Sequence, residues 1–187
     1  MTNARLFAAV GAVALLAGGV LWHLGRAPRQ APAGETSAAP VVAIAPAAIF
    51  AATFTDPSGA ARSLGQFEGK VLVLNFWATW CEPCRAEMPA FNRLHERWSG
   101  KGVQFVGLSD ESQEKAQAFG RSLGIGYPLW TGGHQVADLS RRLGNGLGGL
   151  PHTVILDASG RVLAQKVGPY TENELATILA LAAVKKR

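Results

Sequence analysis

Cysteine is scarce in this chain, which has only two cysteines and two methionines among its 187 residues. A tetrahedral zinc site needs four nitrogen or sulfur ligands, so the two cysteines cannot build one by themselves. They stand at Cys81 and Cys84, and a bridge that closes so short a loop restricts the unfolded chain too little to act as a staple. The pair therefore indicates redox chemistry rather than a zinc site or a structural cross-link.

Charged residues are also few, at 17% of the chain, although the net charge is +5. The basic residues are scattered, and their one dense cluster is Lys185-Lys186-Arg187 at the C-terminus. Nucleic-acid binding favours a basic stripe interleaved with aromatic residues, or a known nucleic-acid-binding motif, and neither is present. We therefore expect no nucleic-acid partner. Hydrophobic residues make up 48% of the chain, which favours a globular core over disorder.

A long apolar run lies near the N-terminus, from Leu6 to about Leu24, and Arg5 precedes it. Its length of about 19 residues fits a membrane span, whereas the apolar stretch of a cleaved signal peptide has about 7 to 15. We predict that residues 1–24 form an N-terminal membrane anchor or signal sequence, and we favour the anchor. Ala31-Pro32-Ala33 has the small residues of a cleavage site, so a soluble periplasmic protein is the alternative. Either way, the remainder faces an oxidising compartment.

Residues 25–40 are rich in Pro, Ala, Gln, Gly and Ser, which predicts a flexible tether before a single domain at 41–187. Within that domain, Asp56-Pro57-Ser58-Gly59 is a turn signature between two short strands and predicts an N-terminal β-hairpin. Asp157-Ala158-Ser159-Gly160 predicts a second hairpin. Each turn therefore predicts that the two strands beside it pair with each other.

Apolar spacing predicts the remaining strands and helices. Strands are expected at 71–77, 103–108, 153–156 and 162–167, and helices at 82–98, 111–123, 136–143 and from 171 onward. The last helix begins at a capping box, Thr171-Glu172-Asn173-Glu174. A βαβ unit followed by a ββα unit predicts an α/β fold, in which helices flank a central mixed β-sheet and the N-terminal β-hairpin is an extension.

The Cys81-Glu82-Pro83-Cys84 motif is the chemical centre of the sequence. It lies between the apolar strand and the helix that follows, so Cys81 is expected at or beside the helix N-cap. Unpaired N–H groups and the helix dipole favour a thiolate there. Cys81 is therefore the predicted nucleophile, and Cys84, one turn later, is the predicted resolving thiol. Trp80 offers a flat apolar contact to a partner.

The stretch from Phe76 to Cys84, FWATWCEPC, resembles the thioredoxin superfamily and specifically its anchored TlpA/ResA/CcmG-like branch. The resemblance extends over about residues 41–184 and implies a thioredoxin-like fold. Gly149-Leu150-Pro151 is similar to the family's cis-proline loop. By this resemblance Pro151 is cis, and the Leu150 backbone pairs with an extended client segment next to Cys81. We count Trp80, Glu82, Pro83, Leu150 and Pro151 as candidate client-binding residues.

Glu87 is a third candidate catalytic residue, because the branch often has the pattern C-E-P-C-x-x-E-x-P, which this chain reproduces through Pro89. A glutamate with a raised pKa would deprotonate Cys84. The alternative is an exposed helix glutamate without a role. Thioredoxin proper usually has a buried aspartate on the preceding strand, where this chain has Asn75, and its absence places more weight on Glu87. His134 and His152 are expected to be packed or solvated rather than catalytic.

These features predict a protein-disulfide reductase anchored in the bacterial inner membrane, with its domain in the periplasm. The resemblance implies protein disulfide substrates such as apocytochrome c and a membrane thiol donor. An acidic Glu82 between the cysteines disfavours the thiolate relative to a basic or histidine-containing pair, which argues against a strong oxidant.

The alternative function is a module that binds Cu(I) through Cys81 and Cys84 for a membrane oxidase. Met88 is the only methionine near the cysteines, and no cluster of Met and His ligands accompanies them. Peroxidases of the peroxiredoxin kind share the fold, but their P-x-x-x-T-x-x-C arrangement is absent. Arg85 occupies the position that haem attachment through C-x-x-C-H gives to histidine. We expect no cofactor and no metal, with the dithiol as the only redox group.

Overall fold

The computed structural model describes residues 44–184, which belong to the second of the chain's two compact units, Val41–Arg187. The predicted anchor at 1–24 and tether at 25–40 lie outside the described residues. Among residues 44–184, no helix combines the length and the apolar character needed to cross a membrane.

The described elements follow one another in the order helix, β-hairpin, βαβαβ, helix, β-hairpin, helix. Their bounds are α1 (Pro46–Phe50), β1 (Thr53–Thr55), β2 (Ala61–Ser63), β3 (Val71–Phe76), α2 (Glu82–Trp98), β4 (Val103–Ser109), α3 (Gln113–Ser122), β5 (Leu129–Thr131), α4 (His134–Arg142), β6 (His152–Leu156), β7 (Val162–Val167) and α5 (Glu172–Val184). Short 3₁₀ turns follow β2 and α2.

The seven strands form one mixed sheet in the order β2-β1-β5-β4-β3-β6-β7. Strands β3, β4 and β5 are parallel, and the other pairs are antiparallel. Strand β3 has a neighbour on each side and all six of its residues are buried, as its unbroken apolar run predicts. The α/β fold with a central mixed sheet and an N-terminal hairpin is therefore confirmed.

Side chains of β3 alternate between two apolar layers, so that Val73 joins one and Leu74 the other. The first layer packs the sheet against α2, α3 and α5, with Met88 and Leu175 among its buried residues. The second packs the opposite face against α1 and α4. Helices thus cover both faces of the sheet, as the sequence predicts. The carboxyl end of β3 lies between the two apolar layers.

Strand β5 is missing from the sequence-based prediction, although it joins the hairpin to the parallel strands. It has only three residues, Leu129–Thr131, and a run that short carries no measurable periodicity. Its backbone pairs with residues Gly107 to Ser109 of β4. This pairing joins distant parts of the chain, so the local sequence pattern does not predict it. The capping box of α5 is confirmed, because Thr171 Oγ1 accepts from the Glu174 N–H and Glu174 accepts from the Thr171 N–H.

Candidate active site

Cys81 is the N-cap residue of α2, where the strand-to-helix turn places it. The Cys84 backbone N–H donates to the Cys81 Sγ at 3.3 Å, and in this structure the two cysteines form a disulfide with their Cα atoms 5.3 Å apart. Cys81 keeps 4% of its surface exposed and Cys84 none. An attacking sulfur therefore reaches Cys81 first. A Cys81 thiolate would face the N–H groups and the positive dipole end of the helix.

The loop between β3 and Cys81 is anchored by Glu111, a residue that lies just after β4. The Thr79 N–H and hydroxyl both donate to the Glu111 carboxylate, which also pairs with Lys115. Burial alone would raise the pKa of Glu111, but the bonds from Lys115 and Thr79 outweigh it and hold the pKa below its usual value. The anchored loop fixes where Trp80 and Cys81 stand.

The Leu150–Pro151 peptide bond is cis, as the resemblance implies. Leu150 is partly buried against both apolar layers, and it lines a cavity of about 120 Å³ together with Trp80, Phe76 and Leu108. Trp80 is 69% exposed, so its ring lines the cavity where the cavity opens to solvent.

The other candidate client-binding residues, Glu82 and Pro83, are exposed at the start of α2, while Pro151 is buried. Pro83 falls in the first helical turn, where its missing N–H leaves no helix hydrogen bond unmade. The structure thus gathers Trp80 and Leu150 around one cavity and presents Glu82 and Pro83 to solvent. Their part in client binding remains a prediction.

Glu87 is buried, with 4% of its surface exposed, so it is not the exposed helix glutamate of the alternative interpretation. Its Oε1 accepts from Asn75 Nδ2 at 2.9 Å, and its Oε2 accepts from the Tyr170 N–H at 2.9 Å. Burial raises the pKa of Glu87 to about 7, although these two hydrogen bonds and the charge of Lys166 pull the pKa down. A carboxyl with that pKa can exchange a proton near neutral pH.

Asn75 explains how this carboxyl is tolerated in the core. It is 1% exposed and its Nδ2 donates both to Glu87 and to Thr153 Oγ1, at 2.9 and 3.1 Å. An aspartate at position 75 would place a second carboxylate beside Glu87, where two like charges repel. The absence of the thioredoxin aspartate and the presence of Glu87 are therefore two parts of one arrangement.

Sequence analysis missed two polar residues at the site: Glu111, which bonds Thr79, and Asn145, which lines the cavity with Trp80 and Leu150. Glu111 is the second residue after β4, and the carboxyl ends of adjacent parallel strands meet at one end of the sheet, so its position in the sequence indicated a place near the site. Asn145 lies in a glycine-rich loop and carried none. His134 is exposed, and His152 is fully buried, so both lie where a packed or solvated histidine is expected.

Within residues 44–184, no group of three or more His, Cys, Asp and Glu side chains is arranged to hold a metal ion. A two-thiolate Cu(I) site would need only Cys81 and Cys84, so that hypothesis remains a prediction from the sequence.

Comparison with known proteins places this geometry among thioredoxin-like redox proteins. The AhpC/TSA family model matches residues 44–165. Thiol-disulfide oxidoreductase ResA of Bacillus thuringiensis (strain Al Hakam) is 34% identical over 123 residues, which cover 65% of this chain and 68% of ResA. Thiol:disulfide interchange protein HelX of Rhodobacter capsulatus is 33% identical over 109 residues, which cover 57% of each chain.

Solved structures agree with the sequence relatives. A crystal structure of a thiol:disulfide interchange protein of the thioredoxin family from Chlorobium tepidum TLS has a TM-score of 0.64 and 28% identity. The alignment covers 71% of this chain and 92% of that one. A secreted thiol-disulfide isomerase from Corynebacterium glutamicum has a TM-score of 0.61 and 25% identity, over 71% of this chain and 83% of that one.

Proposed function

Since the chain belongs to the AhpC/TSA family of the thioredoxin superfamily and is a thiol-disulfide oxidoreductase, we propose that it reduces disulfides in specific exported proteins. The observation that carries the proposal is the placement of Cys81 at the N-cap of α2, with the Cys84 N–H directed at its sulfur. This arrangement favours a thiolate on the more exposed of the two cysteines.

The reaction proceeds through two exchanges between sulfur atoms. The Cys81 thiolate attacks one sulfur of the client disulfide, which breaks the client S–S bond and releases the other client sulfur as a thiol after it takes up a proton. The Cys84 thiolate then attacks the Cys81 sulfur, which breaks the mixed disulfide and releases the second client sulfur, and this sulfur becomes a thiol when it takes up a proton. Two electrons pass from the dithiol to the client, and the protein is left with the Cys81–Cys84 disulfide.

Glu87 takes the Cys84 proton in the second exchange. It lies one helical turn after Cys84, is buried, and has a pKa of about 7, so its carboxylate and a thiol have similar proton affinities. Transfer between groups of similar pKa requires little driving force. Trp80, Glu82, Pro83, Leu150 and Pro151 bind the client segment around Cys81, with the Leu150 backbone pairing with it.

The residues around the pair support a reductive direction of electron flow. Glu82 places a carboxylate between the two cysteines, where it destabilises the reduced thiolate relative to a basic or histidine-containing pair, so the protein gives up electrons readily. A membrane thiol donor restores the dithiol. The dithiol is the only redox group, and no cofactor or metal takes part.

The site of action is the periplasmic side of the bacterial inner membrane. The apolar run from Leu6 to about Leu24 supports a single N-terminal span that leaves the domain outside the cytoplasm, with cleavage to a soluble periplasmic form as the alternative. Resemblance to the TlpA/ResA/CcmG-like branch supports apocytochrome c as a client. The similarity to a secreted isomerase is consistent with an extracytoplasmic domain.

The test is electron transfer between the purified protein and a peptide that contains an oxidised C-x-x-C-H motif. We expect the reduced protein to convert the peptide disulfide to two thiols, counted by alkylation and mass spectrometry, while insulin is reduced more slowly. The Cys81→Ser variant should transfer nothing. The proposal fails if the reduced protein leaves the peptide oxidised while the oxidised protein readily oxidises the reduced peptide.

A further inference from the structure

The loop that carries the cis peptide bond is tied at its base by one buried asparagine. Asn145 Nδ2 donates to the Gly149 carbonyl at 2.8 Å, and the Gly149 N–H donates to Asn145 Oδ1 at 3.0 Å. The Asn145 amide thus bonds both backbone groups of a single residue. Asn145 is 2% exposed, so water does not compete with these bonds.

The same asparagine also takes part in a network of buried side-chain hydrogen bonds. Its Nδ2 also donates to Ser140 Oγ at 3.0 Å, and Ser140 Oγ lies 2.9 Å from His152 Nδ1. Ser140 is on α4 and His152 opens β6, directly after Pro151. The chain of side chains therefore joins both ends of the loop to a helix and to the sheet.

His152 is held firmly in this arrangement. It is fully buried and stacks on Phe76, with the ring centroids 5.2 Å apart. Burial lowers the pKa of His152, while its interaction with the Gln165 side chain raises it. His152 pairs with Phe76 across β3 and β6, on the face of the sheet opposite Glu87, so it does not serve as a proton acceptor for Cys84.

The loop needs such an anchor because its own sequence does not order it. Four of the residues from 144 to 149 are glycines, and Gly148 adopts a positive φ of 68°. Glycine loses more conformational freedom on ordering than any other residue. Leu147 at the tip is fully exposed, so it adds no packing that would hold the loop in place.

We propose that Asn145, Ser140 and His152 form a buried clamp that positions the Gly149–Pro151 segment so that the Leu150 backbone can receive a client segment beside Cys81. The three are positioning residues, and the inference rests on the proposed disulfide reductase function. The clamp acts on client binding and not on the sulfur chemistry, because none of its hydrogen bonds involves a residue of the Cys81-Glu82-Pro83-Cys84 motif.

The test is Asn145→Ala in the purified protein, with Asn92→Ala as its matched control. Asn92 anchors another glycine-containing loop, because its Oδ1 accepts from the Gly126 N–H at 2.7 Å and its Nδ2 donates to the Gly124 carbonyl. That loop precedes β5, which runs parallel to β3, so it lies at the amino ends of the parallel strands, whereas Cys81 follows their carboxyl ends. Asn92→Ala therefore removes a loop anchor, as Asn145→Ala does, but it leaves the cis-proline loop unchanged.

We expect Asn145→Ala to lower kcat/KM for the oxidised C-x-x-C-H peptide at least about tenfold, mainly through KM, since each lost hydrogen bond corresponds to a factor of roughly 2 to 12. The rate with hydroxyethyl disulfide, which has no backbone to pair with Leu150, and the reduction potential should not change. Asn92→Ala should leave all three quantities at the wild-type values. Equal losses for the peptide and for hydroxyethyl disulfide, or no loss for either, would overturn the clamp.

Two further variants cover the case in which Asn145→Ala does not fold. Asn145→Asp keeps the acceptor for the Gly149 N–H but loses both donations. Ser140→Ala removes the hydroxyl that joins Asn145 to His152 but leaves both hydrogen bonds between Asn145 and Gly149. We expect a graded loss of kcat/KM for the peptide, and faster hydrogen exchange of the Gly149 amide in both variants. Unchanged exchange at Gly149 with normal peptide kinetics would contradict the clamp. Failure of the wild-type protein to reduce the peptide would instead contradict the proposed function.

Discussion

Replacing Cys81 with serine is expected to reduce disulfide exchange to the uncatalysed background. A serine hydroxyl is not ionised at neutral pH and does not attack a disulfide, so the first exchange has no nucleophile. The fold should persist, because Cys81 contributes only a small side chain at the N-cap, and serine is itself a favoured N-cap residue. The measurement is the rate of peptide disulfide reduction, with circular dichroism to verify folding.

Cys84→Ser is the partner experiment, and it should behave differently. Cys81 can still attack, but no second thiol resolves the mixed disulfide, so a covalent complex of protein and client should accumulate and be visible on a non-reducing gel. The same trap in Cys81→Ser should capture nothing. A covalent complex through Cys84 in the Cys81→Ser variant would reverse the assigned roles of the two cysteines.

Glu87→Gln is expected to slow the second exchange by roughly a hundredfold, the lower end of the range for general acid–base catalysis. Glutamine keeps the size of the side chain but accepts no proton from Cys84. The mixed disulfide should therefore persist during turnover with the peptide. In the wild type, the resolution rate should rise with pH and level off above about 7, once Glu87 is ionised. The variant should show no levelling there, because its rate depends only on the thiolate fraction of Cys84.

Glu87 should also make stability depend on pH, in a direction fixed by its pKa. The folded pKa of about 7 lies above the ordinary value of 4.5, so the folded protein holds this proton more tightly than the unfolded chain does. Protonated Glu87 therefore contributes about 3 kcal/mol to the free energy of unfolding. This contribution is fully present below pH 4.5 and is lost as the pH rises through 7. Glu87→Gln should remove this loss.

Urea denaturation of the oxidised wild type and variant at pH 5 and pH 8 measures the effect. The matched control is Glu114→Gln, which changes an exposed glutamate on α3 and should reproduce the wild-type pH dependence. If wild type and Glu87→Gln lose equal stability between these pH values, Glu87 does not ionise with a raised pKa. If the wild type and Glu87→Gln resolve the mixed disulfide at equal rates, Glu87 is not the proton acceptor for Cys84.

Local patterns in the sequence predicted much of this molecule, because the features concerned are themselves local. The strand from Val71, the helix from Glu82 and both Asp-centred turns are encoded within a few residues. In the second turn, Asp157 Oδ1 accepts from the Ser159 and Arg161 N–H groups at 2.9 and 3.0 Å, all within four positions. The cysteine pair follows from the same strand-to-helix turn, since the N-cap position is set by where the helix begins.

Features that depend on contacts between distant segments were not predictable in the same way. The burial of Glu87 depends on Asn75 and on the Tyr170 N–H, and Tyr170 is 83 residues away. A glutamate three residues after Cys84 looks the same in sequence whether it is exposed or buried. The link from Asn145 to His152 likewise becomes visible only when α4 and β6 are packed together.

The most direct test of the reductase function is the reduction potential of the Cys81–Cys84 pair. The purified protein is equilibrated with thiol buffers of known potential, and its free thiols are counted by alkylation. We predict a value near that of thioredoxin, about −270 mV, at which the dithiol gives electrons to client disulfides. A value near about −120 mV, that of a strong periplasmic oxidant, would contradict the account and would mean that the protein donates disulfides instead.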